Sequence, residues 1–314
     1  MSHNPLDQDP GPVEVTLAIP PGLRLALYRL TLEALQPLHL NNFKGSALRG
    51  GFGHTFKRLA CLQSWPCDKY CQAGNQCAYG YIFETAPPEQ SERLRSMDNI
   101  PRPFVLRAPA DPRTTIPPGE QLAFELILIG RGIEYRQDFE RVFQRLGQEG
   151  FGKSRGRYQL LAMKQVAEAR GDQIAAIVAT LPPGRITLDL LTPTRLTQAE
   201  KPVRQGPPFA VLVRTLLSRL SSLTYFHCGA KLELDFRGLI DQAEAVSIVE
   251  ARTSWFERFR RSSRQQQDIP ISGLVGQVTY AGALKPYLPL LALGEFIHLG
   301  KGTVFGNGQY RIVR

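Results

Sequence analysis

The sequence predicts an α+β protein made of two tandem halves of one design, each running strand, helix, strands, helix, strand. Two observations carry this. The first is an internal echo. Gly150-Phe151-Gly152-Lys153-Ser154-Arg155-Gly156-Arg157-Tyr158 and Gly300-Lys301-Gly302-Thr303-Val304-Phe305-Gly306-Asn307-Gly308-Gln309-Tyr310 are both basic, glycine-rich loops. Each enters an aromatic and then a strand-like run, at 159–163 and 311–313. The second is the order of hydrophobic periods along each half, which suits a ferredoxin-like β-α-β-β-α-β unit whose helices cover one face of an antiparallel sheet.

Residues 1–22 hold Pro5, Pro10, Pro12, Asp7 and Asp9 and lack a basic start or a long apolar core. They are expected to form a disordered tail, not a signal peptide. The first domain is expected at 23–170. Residues 23–35 alternate well enough for a strand with one buried face. In 44–59, Leu48, Phe52, Phe56 and Leu59 recur at helical spacing and are expected in the core, which puts His54, Lys57 and Arg58 on the other side. Gly50, Gly51 and Gly53 weaken that helix by roughly 1 kcal/mol each relative to alanine, so something should need a close approach to its backbone. A cysteine-rich insertion follows at 61–77. Residues 121–129 read as a strand and 138–146 as a helix, after which the first glycine loop leads to the closing strand.

Gly171-Asp172 and Pro182-Pro183-Gly184 mark turns, so 171–184 is expected to link the domains. The second domain, 185–314, opens with a strand at 186–191 that ends at Thr192-Pro193-Thr194-Arg195-Leu196. A helix at 209–226 with a leucine-rich face comes next. A strand at 245–249, an aromatic-basic stretch around Trp255, a strand at 275–280, a helix at 284–293 and the second glycine loop complete it.

At 314 residues, with a formal net charge of +10, the chain suits a polyanionic partner. Solvated surface charge is the competing explanation. Neither glycine loop fits a Walker or dinucleotide-binding pattern, because neither opens a helix after a first strand. Residues 209–223 are interrupted by Arg214 and Arg219, so no membrane span is expected and the chain should be cytoplasmic. Four of the five cysteines cluster as Cys61, Cys67, Cys71 and Cys77. Structural zinc is the first reading of such a cluster in a reducing compartment; free thiols and disulfides are the others.

The run Trp255-Phe256-Glu257-Arg258-Phe259-Arg260-Arg261-Ser262-Ser263-Arg264-Gln265, followed by Gly273-Leu274-Val275-Gly276 and by His298-Leu299-Gly300-Lys301-Gly302, resembles the C-terminal domain of the CRISPR precursor-RNA processing endoribonucleases. These belong to the RAMP proteins, whose domains are RRM-like. Lys44-Gly45-Ser46-Ala47-Leu48-Arg49-Gly50 and the loop at 147–158 carry the likeness into the first half. It spans most of 23–314 and is strongest after Ile186. The resemblance implies a protein that binds CRISPR repeat RNA and cuts it without a metal ion, by attack of the ribose 2′-hydroxyl, with no cofactor for catalysis. CRISPR effector-complex subunits are further partners it suggests. The alternative it leaves open is a non-catalytic RAMP subunit that holds guide RNA.

Such chemistry needs a base, an acid and positive charge on the phosphorane, and histidine suits the proton transfers. His54 is the first candidate, with Lys57 or Arg58 neutralising the phosphate, and His39 is the second. The competing reading of His54 is an ordinary surface histidine. Lys153, Arg155, Arg157, Arg258, Arg260, Arg261, Arg264 and Lys301 lie in or beside the motifs and are the expected RNA contacts. Trp255, Phe256 and Phe259 could stack on bases, although aromatics at such spacing more often serve a core.

Overall fold

The computed structural model of the protein describes residues 17, 19–20, 22–61, 74–85, 87, 91, 100–262 and 267–314. The first half contains β1 (Leu25–Ala34), α1 (Gly45–Ala60), β2 (Phe104–Arg107), β3 (Gln121–Ile129), α2 (Arg136–Glu149) and β4 (Tyr158–Ala169). Then comes α3 (Gly171–Ala179). The second half contains β5 (Arg185–Thr194), α4 (Phe209–His227), α5 (Phe236–Ala243), β6 (Ser247–Phe256), β7 (Gly273–Ala281), α6 (Leu288–Ile297) and β8 (Tyr310–Val313). The sheets run β2-β3-β1-β4 and β6-β7-β5-β8, with neighbours antiparallel. In each, the first strand of the half lies between the third and the fourth, so the expected element order is met in both halves.

Phe52 and Phe56 of α1 pack with Phe139 of α2, and Phe52 also packs with Phe143, in a cluster that includes Phe83 and Phe104. This cluster sits on one face of the first sheet, with Leu126 and Leu128 beneath it. The run Leu126-Ile127-Leu128-Ile129 is apolar at every position because the sheet is covered twice. Ile127 and Ile129, with Leu25 and Val105, point the other way and join the core of the second half beside the leucines of α4. The two halves therefore share buried surface.

Several expectations need correction. Leu59 is half exposed, at 50%, because α1 ends one residue later and its apolar stripe outruns the layer beneath it. The segment 171–184 is not plain linker: α3 occupies most of it, and Ile174, Ile177 and Val178 pack on the core of the second half. The strand expected at 245–249 continues to Phe256. As a sheet edge it buries none of its residues fully, and its burial alternates only from Ala251 onward, so the pattern in its sequence is weak. The helix expected at 284–293 begins as a 3-10 turn at Lys285–Tyr287 and runs on to Ile297. The short helix Ala78–Phe83, the strand β2 and the hairpin Phe259–Ser262 with Gln267–Pro270 were too brief to leave a period in the sequence. Among the described residues, no helix is long and apolar enough to cross a membrane.

Candidate active site and nucleic-acid interface

The two glycine loops occupy equivalent places. Each lies over the segment that leaves the first strand of its half: Lys153 N donates to His39 O at 3.0 Å, and Lys301 N donates to Arg195 O at 3.3 Å. The tyrosine that follows each loop anchors it to the preceding helix, Tyr158 Oη to Phe143 O at 2.7 Å and Tyr310 Oη to Leu291 O at 2.6 Å. Gly152 and Gly300 have φ of +80° and +84°, and a Cβ there would lie 2.7 Å from His39 O and 2.5 Å from Arg195 O. The backbone these glycines admit is therefore the chain's own. Gly50 differs, since a Cβ there would meet nothing within 4 Å.

Gly50 opens on a cleft of about 930 Å³ bounded by α1, the first glycine loop, the end of α2 and residues 258, 259 and 271 of the second half. Into this one space the fold brings His39, His54, Arg58, Lys153, Arg155 and Arg258. His54 is exposed on α1, one turn beyond Gly50, and Arg58 lies one turn beyond His54. Arg58 is ion-paired to Glu149, the last residue of α2. Glu149 also accepts from Thr55 Oγ1 at 3.2 Å and Arg145 Nε at 2.8 Å. Burial pushes the Glu149 carboxyl up, but the hydrogen bonds from Arg58 and Arg145 outweigh it and hold the group below the usual glutamate range. Sequence reasoning missed Glu149. Its one legible signal was the spacing of four residues from Arg145, since its partner on α1 is 91 residues away.

His39 Nδ1 lies 3.2 Å from Thr115 Oγ1 at the cleft edge. Arg155 is held at φ +50°, a left-handed conformation that few non-glycine residues adopt. The guanidinium of Arg258 sits 4.7 Å from the ring of Phe256 and 5.5 Å from that of Phe43, bridging the two halves, and burial lowers its pKa. Trp255 packs partly buried against the core with Arg204 over its ring, which makes it a structural aromatic.

Lys57 does not share the cleft with Arg58. Its ammonium lies 5.6 Å from the ring centre of Tyr79 on the short helix, because three residues turn a helix past the cleft face whereas four return to it. Arg157 and Lys301 are exposed but do not line the cleft. Arg260 and Arg261 belong to the hairpin strand Phe259–Ser262, and Arg264 lies outside the described residues. So do Cys67 and Cys71. Of the other two cysteines, Cys61 follows the last residue of α1 and Cys77 caps the short helix, its sulfur accepting from Gly80 N at 3.2 Å. Among the described residues, no group of three His, Cys, Asp or Glu side chains could hold a metal.

The remaining described histidines are buried. His298 stands between Arg107 Nε at 3.2 Å and Asn307 O at 3.1 Å. His227 Nε2 donates to Pro101 O at 2.7 Å and Nδ1 accepts from Tyr81 Oη at 2.9 Å, joining α4 to the first half. Burial first, then nearby arginines, lower the His227 pKa to about 4 despite the Pro101 contact. An unfolded histidine titrates near 6.5, so this contribution to stability is complete above that pH and is lost as pH falls towards 4. The expected loss is about 3 kcal/mol. Denaturant unfolding at pH 7.5 and 4.5 checks it: the pH difference should shrink in His227→Gln, and an equal difference in both proteins would refute this assignment.

Residues 188–310 match the family model of the CRISPR-associated endoribonuclease Cas6, and residues 23–183 match the N-terminal domain model AF_1859_N. The second half of the chain thus belongs to the Cas6 family. Among solved structures, a Cas6 (TTHB231) product complex is 16% identical with a TM-score of 0.56, covering 94% of this chain and 100% of its own. Thermus thermophilus Cas6 (TTHB231) gives 14% identity and a TM-score of 0.53 over 93% and 99% of the two chains. A partial Cas6-RT-Cas1–Cas2 complex gives 13% and 0.59, covering 94% of this chain and 47% of that one. At these identities the likeness is one of fold. No curated protein sequence matches the chain.

Proposed function

We propose that this chain, as two tandem ferredoxin-like units, binds CRISPR repeat RNA across the cleft and cuts precursor CRISPR RNA without a metal ion. The observation that carries the reading is that α1 presents His54 and Arg58 one turn apart, in a single cleft with His39 and the cations of the first glycine loop. One imidazole removes the proton of the ribose 2′-hydroxyl, whose oxygen attacks the adjacent phosphorus. The 5′-oxygen leaves with a proton from the acid, and the product ends in a 2′,3′-cyclic phosphate. His54 is assigned to one proton transfer and His39 is the second candidate. Arg58 neutralises the phosphorane, and Lys153, Arg155 and Arg258 hold flanking phosphates.

The test is incubation with repeat RNA from the protein's own locus in EDTA. Cleavage at one position, a cyclic phosphate end and complete protection by a 2′-deoxy substitution at the cut are expected. Tight binding without any cutting would instead make the chain a guide-holding subunit, and cleavage that persists on the 2′-deoxy substrate would exclude this mechanism.

A further inference from the structure

Phe259 is 57% exposed, the most exposed large apolar side chain among the described residues, yet it stands on the wall of a cleft whose other lining is rich in cations. Leaving a phenylalanine in water forgoes much of the roughly 1.5–3 kcal/mol that its burial would contribute. The backbone beneath it is fixed. Arg258 N donates to Ser272 Oγ at 2.9 Å, Ser272 Oγ donates back to Arg258 O at 3.0 Å, and Ile271 N donates to the same carbonyl at 2.8 Å. Ser272 is itself buried, and the Arg258 side chain lies against Phe43 and Phe256. Phe259 is thus held out at the root of the hairpin, on the wall of the cleft that α1 also lines.

We infer that Phe259 is a stacking platform for one unpaired nucleobase beside the scissile phosphate, an inference that rests on the RNA-binding reading above. A nucleobase presents a flat π face to the ring while its phosphates meet Lys153, Arg155 and Arg258, which matches an apolar ring set among cations. A base inside a duplex does not fit this place, because both of its faces are already stacked, whereas an unpaired base has a face to offer. An apolar protein segment would cover the ring but leave those cations unmatched.

The test measures affinity for uncleavable 2′-deoxy repeat RNA over a range of salt. Phe259→Ala should weaken binding by about 5- to 150-fold, the usual worth of one stacked base, with no change in salt slope because no charge is lost. Lys153→Ala should weaken binding and make the slope shallower by roughly 0.7. Phe259→Trp should keep the affinity and Phe259→Leu should lose it. With 2-aminopurine placed at successive positions, quenching at one position should disappear in Phe259→Ala. Wild-type affinity in Phe259→Ala, or in Phe259→Leu, overturns the stacking site while leaving RNA binding intact. A wild-type protein that fails to bind the RNA overturns the underlying reading with it.

Discussion

His54→Ala is expected to slow single-turnover cleavage of repeat RNA by roughly 10²- to 10⁴-fold while leaving affinity nearly unchanged. The imidazole is exposed on the cleft face of α1 and contributes little buried surface, so its removal should not disturb the fold. Its effect falls on proton transfer, which matters in the transition state and little in the bound ground state. Arg58 supplies the contrast. A guanidinium that balances the charge of the phosphate contributes to binding as well as to the chemical step, so Arg58→Ala should raise the dissociation constant and lower the rate together. If His54→Ala cuts at the wild-type rate and His39→Ala does not, the role passes to His39. Full activity in both would remove histidine from the reaction.

Phe52→Ala is expected to cost about 3–5 kcal/mol of folding stability. Its ring is fully buried with five other phenylalanines, 4.8 Å from Phe139 and 4.9 Å from Phe143 in stacked contact, and edge-on to Phe56 and Phe104. The change removes a large side chain from a site whose neighbours are themselves rigid rings, so the void cannot collapse far. Phe52 also ties α1, which carries His54 and Arg58, to α2, which carries Glu149. The same variant should therefore weaken RNA binding at temperatures where wild type is intact. Denaturant unfolding monitored by circular dichroism checks the first part, and a loss below 1 kcal/mol would show that the cluster is not what fastens α1 to α2.

Leu48, Phe52 and Phe56 repeat at the period of a helix, and that period alone put His54 and Arg58 on the opposite face. The repeated loop at 150–158 and 300–310 declared two related halves, because each tyrosine after its loop must anchor the same kind of corner. That the sheet of each half is antiparallel followed from the order of its elements. Where the pattern was weak, as along the exposed edge β6 or in the four residues of β2, extent and existence were lost, since an element that buries little or lasts one turn imposes no period on its residues.

Charge was the other boundary. Sequence alone marked both glycine loops as basic, but only tertiary packing decided that the first lines the cleft and the second, with Gly306 against Leu106 and Ala108, closes the seam between the halves. Likewise, adjacent cations on α1 parted company, Arg58 to Glu149 in the cleft and Lys57 to Tyr79 outside it. The period of a chain records which face of an element is buried, because burial acts on every turn. It does not record which distant element supplies a charge's partner, because that depends on a single contact made across the fold.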